Sequence, residues 1–339
     1  MFETALAALW QDMRNAGERA RASASVCGVP ASPLHIDETM RPCLPKAADP
    51  ARDPSKPPGR NERLQPAPRD SLAVKSRLLA EIEGGLRQST FELHYQPVVS
   101  LTVERAPSLE ALMRWRHPDR GLLLPAAFRK GFAEPRIRAA FGMYMLDRVF
   151  NDLASFYEQG LALDRVAINV TGSDLRSQAF LDRFFELSSR TGIPPLAFCV
   201  EITEGTLIGR SQTPIQRGLR RLHDAGVEIA LDDFGTGFAS LTHLRQLPIG
   251  RLKVDRSFIA NMVASKRDQA IVRGIIDIAH NLDAIVVAEG AESIEQVELL
   301  AEFGCDMVQG WYFGRACEGH CLTALLNAMP SGRARRTGT

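Results

Sequence analysis

Eight polar residues close apolar runs along this chain of 339 residues. Glu110 ends PSLE, Asn169 ends RVAIN, Glu201 ends AFCVE and Asp232 ends VEIALD. Lys253 and Asp255 fall in RLKVD, Glu289 ends AIVVAE and Gln309 ends DMVQ. If the fold gathers these groups, the carboxylates repel one another unless cations neutralise them. Hard divalent cations such as Mg2+ or Mn2+ suit oxygen ligands of this kind. Cations held in that way bind a phosphate and generate a hydroxide nucleophile, so hydrolysis of a phosphate ester is the economical chemistry. Each residue alone has a plainer role, such as a helix cap, half of an ion pair or a surface cation. Their regular placement is what points to a site.

The elements that would position them alternate. Steps from Glu110 to Lys253 through the residues above are 59, 32, 31 and 21 residues, and those from Lys253 to Gln309 are 36 and 20. A strand-plus-helix unit takes about 30 residues, so most steps fit one unit, and the longest leaves room for an extra element. FLDRFFELSSRTG, PIQRGLRRLHDAG, DQAIVRGIIDIAHNL and SIEQVELLAEFG carry apolar residues at helical spacing. Three of these segments stop at Gly192, Gly226 and Gly304, as helix ends prefer. Repeated units with short buried strands predict a parallel sheet. Two closures compete, a (β/α)8 barrel and an open doubly wound sheet. Seven or eight units in about 260 residues suit the barrel, where strand ends converge on one mouth.

Lysine and arginine number 41 against 40 aspartates and glutamates, which argues against a protein that coats nucleic acid or a membrane by bulk charge. No apolar run approaches the ~20 residues needed to span a bilayer. The first residues, MFETALAALWQDMRN, do not read as a signal peptide. Six scattered cysteines do not form a disulfide scaffold, so reduced cytoplasm is the expected compartment. CEGHC at 317–321 lacks a second ligand pair, so it does not by itself specify a four-ligand zinc site. Ten of the 20 prolines precede residue 70. Residues 26–70 are therefore expected to be a flexible linker. Residues 1–25 offer an amphipathic helix through Phe2, Leu6, Leu9, Trp10 and Met13, either a docking helix for a partner or a marginal isolated one. Residues 71–329 form the expected folded domain, and residues 330–339 a disordered basic tail.

The motifs LHYQP, EALMRWRHP, AINVT, VEITEGTL, ALDDFGTGFASL, LPIGRLKVDRSFI, AIVRGIIDIAHNL, VVAEGAES and GCDMVQGWYF follow one another in order. In this the chain resembles the EAL-domain family, bacterial phosphodiesterases that open cyclic di-GMP to linear pGpG, from about residue 74 to 325. The resemblance implies an α/β fold, a modified TIM-type (β/α)8 barrel with one reversed strand, here preceded by a largely disordered N-terminal segment. It implies Mg2+ or Mn2+ held by Glu110, Asn169, Glu201, Asp232 and Asp233. Asparagine completes such a set without adding repulsion. It further implies that Lys253 positions and activates the attacking water, and that Glu289 is a catalytic glutamate at the centre, alongside Glu110 and Asp232. Substrate contacts fall to Gln96, Leu112, Arg114, Gln309 and Glu292, and Glu204 steadies the loop around 233–240. A guanidinium such as that of Arg114 can fork onto a phosphate as an ammonium cannot. The family ties that loop to catalysis and to dimerisation, so a homodimer is expected.

Three departures stand out. TVERAPS replaces the usual Thr-Gly hairpin signal before Glu110, an edge-turn change. At 128–138, FRKGFAEPRIR replaces the family's Phe-Ile-Pro-x-Ala-Glu-Glu-Thr-Gly pattern, with Ala133 at its first glutamate and Glu134 one residue on. That change implies either an altered loop or a basic surface for a partner, through Arg129 and Lys130. Ala167 and Ala291 are mild changes. Two other readings follow. One is a catalytically weak or inactive family member acting as a cyclic di-GMP receptor or protein-binding regulator. The other is a barrel lyase or aldolase using Lys253 as a Schiff base.

Overall fold

A computed structural model describes residues 69–102, 105–207, 212–235 and 247–328. The expected helix at 1–25, the expected linker up to residue 68 and the tail at 330–339 lie outside the described residues, while Arg69 and Asp70, expected as the linker's end, already belong to the first helix. Helix α1 (Arg69–Arg87) leads into strand β1 (Phe91–Ser100), which turns back as β2 (Ser108–His117) and a short β3 (Gly121–Leu123). Then come α2 (Pro135–Glu158), β4 (Val166–Asn169), α3 (Gly172–Arg176), α4 (Gln178–Thr191) and β5 (Phe198–Thr203). After α5 (Gln212–Asp224) and β6 (Glu228–Phe234) the chain forms β7 (Arg251–Val254), α6 (Arg256–Ala260) and α7 (Lys266–His280). It finishes with β8 (Ile285–Glu289), α8 (Ile294–Glu302), β9 (Met307–Gln309), β10 (Cys317–Glu318) and α9 (Gly319–Ala328).

Strands β2 and β4 to β9 pair in parallel, each with the next. Strand β1 closes the ring, antiparallel to β2 through Gln96↔Glu110 and to β9 through Val98↔Gln309. The result is a closed eight-stranded, TIM-like barrel with one reversed strand, so the barrel closure holds over the open sheet. Strands β3 and β10 are short antiparallel additions to β2 and β1.

The period of two along each strand sorts its side chains. Val166 and Ile168, Val200 and Ile202, Ile229 and Leu231, and Val286 and Ala288 point outward into one core shared with the helices. In that core Phe150 of α2 meets Phe184 of α4 at 5.4 Å and Phe198 of β5 at 4.5 Å. Alternate residues fill the barrel, where Ala167, Cys199 and Ala230 form one small-residue group and Val98, Val287 and Met307 another. Both Cys199 and Cys305 are buried thiols.

A second core joins α1 to the start of the barrel. Ile82 packs with Phe91, Trp115, Phe128, Ile137 and Phe141. The 128–138 segment belongs to it. Its tight turn, Arg129–Ala133, runs straight into α2, with Phe128 and Ile137 buried and Arg129 and Lys130 exposed. Glu134 sits at the helix start and ion-pairs with Arg136 at 3.7 Å.

The far end of the barrel is closed by charge. Arg251 opens β7 with its side chain 2% exposed, 2.7 Å from Glu228 of β6. Arg165 approaches the same carboxylate at 3.4 Å. Removing one partner of such a buried pair strands the other. Glu228→Gln is expected to lower unfolding free energy by roughly 3 kcal/mol, as measured by urea denaturation; an unchanged midpoint would contradict this role.

Candidate active site

At the other end, each of the eight barrel strands delivers one polar side chain inward. These are Gln96 from β1, Glu110 from β2, Asn169 from β4, Glu201 from β5, Asp232 from β6, Lys253 from β7, Glu289 from β8 and Gln309 from β9. On the parallel strands an inward residue precedes each by two positions, as with Ala167 before Asn169 and Cys199 before Glu201, while on the reversed β1 the inward Val98 follows Gln96. Burial of both strand faces forces this arrangement, because a polar group is tolerated inside only where several meet.

Lys253 is the hub. Its Nζ lies 2.7 Å from Glu289 Oε1, 2.9 Å from Glu201 Oε2, 3.2 Å from Asp232 Oδ1 and 3.5 Å from Glu110 Oε2. Asn169 Nδ2 donates to Glu110 Oε1 at 3.0 Å, and Gln309 Nε2 donates to Glu110 Oε2 at 2.6 Å. Gln309 Nε2 also donates to Gln96 Oε1 at 3.3 Å, and Gln96 in turn donates to the Gly314 carbonyl at 3.0 Å.

Burial and charge set the protonation of the ring. Burial alone would lower Lys253, but the surrounding carboxylates hold it well above the usual lysine range. Burial pushes Glu201 well above the carboxylate range, and repulsion from Glu110 adds to this. Glu289 is pushed up to about 7, first by burial, against the attraction of Lys253. Burial also raises Glu110, but Lys253 and the donors Gln309 and Asn169 outweigh it, so Glu110 stays ionised below its usual range. A lysine held protonated by its neighbours is the wrong state for Schiff-base attack, which needs the free amine. The aldolase reading therefore has no support in the geometry.

Strand β6 does something the others do not. Its pairing with β7 shifts register between Leu231 and Phe234, and Asp233 takes the left-handed conformation at φ 56°. A bulge of this kind re-aims side chains beside a site. It brings ligand oxygens of Asp232, Asp233 and Glu289 within 4.8 Å of one another. Glu204 steadies the turn that follows, its Oε1 accepting from the Gly235 amide at 3.0 Å. Of the expected loop around 233–240, which the family ties to dimerisation, residues 236–240 lie outside the described residues.

The donor set fits divalent cations. Four carboxylates surround one ammonium, so the ionised ring carries excess negative charge. Without a cation it can only take up protons, and the raised Glu201 and Glu289 show that tendency. Gln309 Oε1 is buried without a hydrogen-bond partner, an acceptor for an incoming cation or donor. Every ligand atom is oxygen, the class hard cations prefer.

This gives a sign for pH dependence. Glu201 and Glu289 bind protons more tightly folded than unfolded, where the reference is 4.5. Both contributions are full below that reference; that of Glu289 is lost as pH rises through about 7, and that of Glu201 carries the same sign. The melting temperature of EDTA-treated protein is expected to fall between about pH 5 and pH 8, and Mg2+ to flatten that fall. A melting temperature of the stripped protein that rises across that range would contradict it.

Other expected residues sit apart from the ring. Leu112 and Arg114 continue the Glu110 face of β2 outward, and Arg114 Nη1 donates to the Met113 carbonyl at 2.9 Å. Glu292 is exposed beyond β8, and its backbone N–H donates to Gln296 Oε1 at 2.7 Å. Asp255 is not a ring member but the N-cap of α6, accepting from the Ser257 amide at 2.9 Å. One residue escaped the sequence reading. A Cβ on Gly310 would lie 2.0 Å from the Ala291 carbonyl oxygen, so only glycine lets the ends of β8 and β9 meet. The QG pair at a strand end was the available signal.

Such a fold and ring define a closed α/β barrel protein that gathers four carboxylates around one ammonium at its strand ends. A family model described as the EAL domain matches residues 79–316, and the chain belongs to that family. It is similar to the cyclic di-GMP phosphodiesterase NbdA of Pseudomonas aeruginosa, 40% identical over 254 residues, covering 73% of this chain and 32% of that protein. It is also similar to the cyclic di-GMP phosphodiesterase PA2567 of the same organism, 36% identical over 65% of this chain and 37% of the other. The chain thus spans only about a third of the length of these curated relatives. Among solved structures, PaMucR phosphodiesterase in its c-di-GMP complex superposes with a TM-score of 0.67 at 32% identity, covering 73% of this chain and 99% of that one. Among the described residues no helix is long and apolar enough to cross a membrane.

Proposed function

We propose that residues 71–329 form a catalytic domain that hydrolyses cyclic di-GMP to linear pGpG in the cytoplasm. The observation that carries this reading is the ring itself, one polar group per strand with Lys253 among four carboxylates. Family membership and the names of the relatives support the substrate. Glu110, Asn169, Glu201, Asp232 and Asp233 would hold Mg2+ or Mn2+. Cations there supply positive charge to the phosphodiester and acidify water. Lys253 Nζ donates to the attacking water and orients it. Glu289, at about 7, exchanges a proton beside Lys253 near neutral pH. The water oxygen forms one P–O bond, one ester P–O bond breaks, and the proton ends on the leaving hydroxyl. Gln96, Leu112, Arg114, Gln309 and Glu292 bind substrate, with Arg114 forked onto a phosphate. The ring keeps every acid that a receptor without catalysis could dispense with, which favours the enzyme over the receptor reading.

The test is incubation of purified protein with cyclic di-GMP and Mg2+ or Mn2+, with products resolved by chromatography beside Asp232→Asn. Linear pGpG from the wild type alone, abolished by EDTA, is the expected result. Intact substrate that nonetheless binds by calorimetry would replace the enzyme with a receptor.

A further inference from the structure

Strand β10 carries part of the CEGHC motif, and the fold sets it against β1. His94 is the register partner of Glu318, and Glu92 lies two residues from His94 on the same face of β1. His94 is buried, and its Nε2 lies 2.9 Å from Glu92 Oε1. Single ligand atoms of Glu92, His94 and Glu318 fall within 4.8 Å of one another. His320 adds a second imidazole, its Nδ1 3.4 Å from Glu318 Oε2. The ligands that the motif lacked in sequence therefore come from another strand.

We propose that Glu92, His94, Glu318 and His320 bind a divalent transition-metal ion of the zinc class, at a site separate from the carboxylate ring. Two imidazoles and two carboxylates suit zinc-like ions and not Mg2+, which takes oxygen and keeps its waters. Zinc bonds of about 2.0–2.2 Å place ligand atoms roughly 3–4 Å apart, so closure of Glu92, His94 and Glu318 needs shifts on the order of 1 Å, and the exposed His320 swings in beside Glu318 to complete the set. Glu92 stands four residues from Gln96 along β1, roughly 14 Å at strand rise, so the ring's cations are not shared.

Arg116 holds the place of the cation. Its Nη2 donates to Glu92 Oε1 at 2.7 Å and to Glu318 Oε1 at 2.9 Å, and its Nε donates to Glu92 Oε2 at 3.0 Å. With its side chain 54% exposed, Arg116 can leave for solvent when the ion arrives. The ion then clamps β10 to β1 and fixes α9, which follows β10 directly, to the barrel wall.

The test does not depend on the phosphodiesterase reading. Full-length wild type, Glu318→Gln, His94→Gln and Arg116→Gln are loaded with Zn2+ in excess Mg2+, desalted and analysed for zinc per chain. Near-ultraviolet circular dichroism checks that each is folded. One equivalent less zinc is expected in Glu318→Gln and His94→Gln than in wild type. Arg116→Gln should bind that equivalent at least as tightly as wild type, since a competitor has gone. Glu318 is partly exposed, so its variant carries the test alone if His94→Gln misfolds. Equal zinc in wild type and folded Glu318→Gln, or weaker binding by Arg116→Gln, would overturn the site.

Discussion

Lys253→Met is expected to lower cyclic di-GMP turnover by about a thousandfold and to destabilise the protein at the same time. Under the proposed mechanism the kinetic loss follows from removing the ammonium that orients the attacking water, an electrostatic contribution typically worth two to three powers of ten. The loss of stability follows from what remains. Lys253 is 1% exposed and touches Glu110, Glu201, Asp232 and Glu289. A methionine leaves those carboxylates buried without their counterion, at a cost of roughly 3–5 kcal/mol in cation-free protein. Added Mg2+ should recover much of the stability and little of the rate. Product formation by chromatography and urea unfolding with and without Mg2+ measure the two effects. A variant that turns over at the wild-type rate would remove Lys253 from the mechanism.

Glu201→Gln is expected to produce a similar loss of rate with the opposite effect on stability. Glu201 is 2% exposed, and burial with repulsion from Glu110 and Asp232 makes its charge unfavourable. Glutamine keeps the shape and removes the charge. Lys253 loses one partner at 2.9 Å but retains three. Cation-free protein should therefore gain about 1–3 kcal/mol at neutral pH, and its stability should vary less with pH. Turnover should fall by about a thousandfold, because one oxygen ligand has lost its charge. The two substitutions thus separate function from folding: both are expected to silence the proposed activity and to move the unfolding midpoint in opposite directions. A destabilised Glu201→Gln would mean that its bond to Lys253 outweighs the repulsion.

Seven of the eight ring members were legible because they fall at the ends of apolar runs, by which a buried parallel strand announces itself, whereas Gln96, on the reversed strand, came only from the resemblance. VAIN, FCVEIT and IVVAE are short and apolar up to their polar residue. The same rule misplaced Asp255, which also follows an apolar run but lies one residue past the end of β7 and caps a helix. Period two gives the reason: after Lys253 the next inward position falls beyond the strand. The Arg251–Glu228 pair was not legible, since nothing local says which strands lie side by side. The meeting of Glu92 and His94 with Glu318 escaped for the same reason, being separated by more than 200 residues. The bulge at Asp233 left only the DD pair as its trace.

A centre assembled from one residue on each of eight strands also constrains how such a gene can change. Deleting a single codon within any strand turns its ring member outward and replaces it with an apolar neighbour. Substitutions can be sampled one at a time, but a length change inside a strand removes a whole spoke of the wheel. Insertions and deletions are thus confined to the connections, where the ring does not register them. This chain's own peculiarities obey that division: among the described residues, those of TVERAPS before Ser108 and the 128–138 segment lie outside the barrel strands. Variation in this lineage can therefore accumulate as new connections around an unchanged hub.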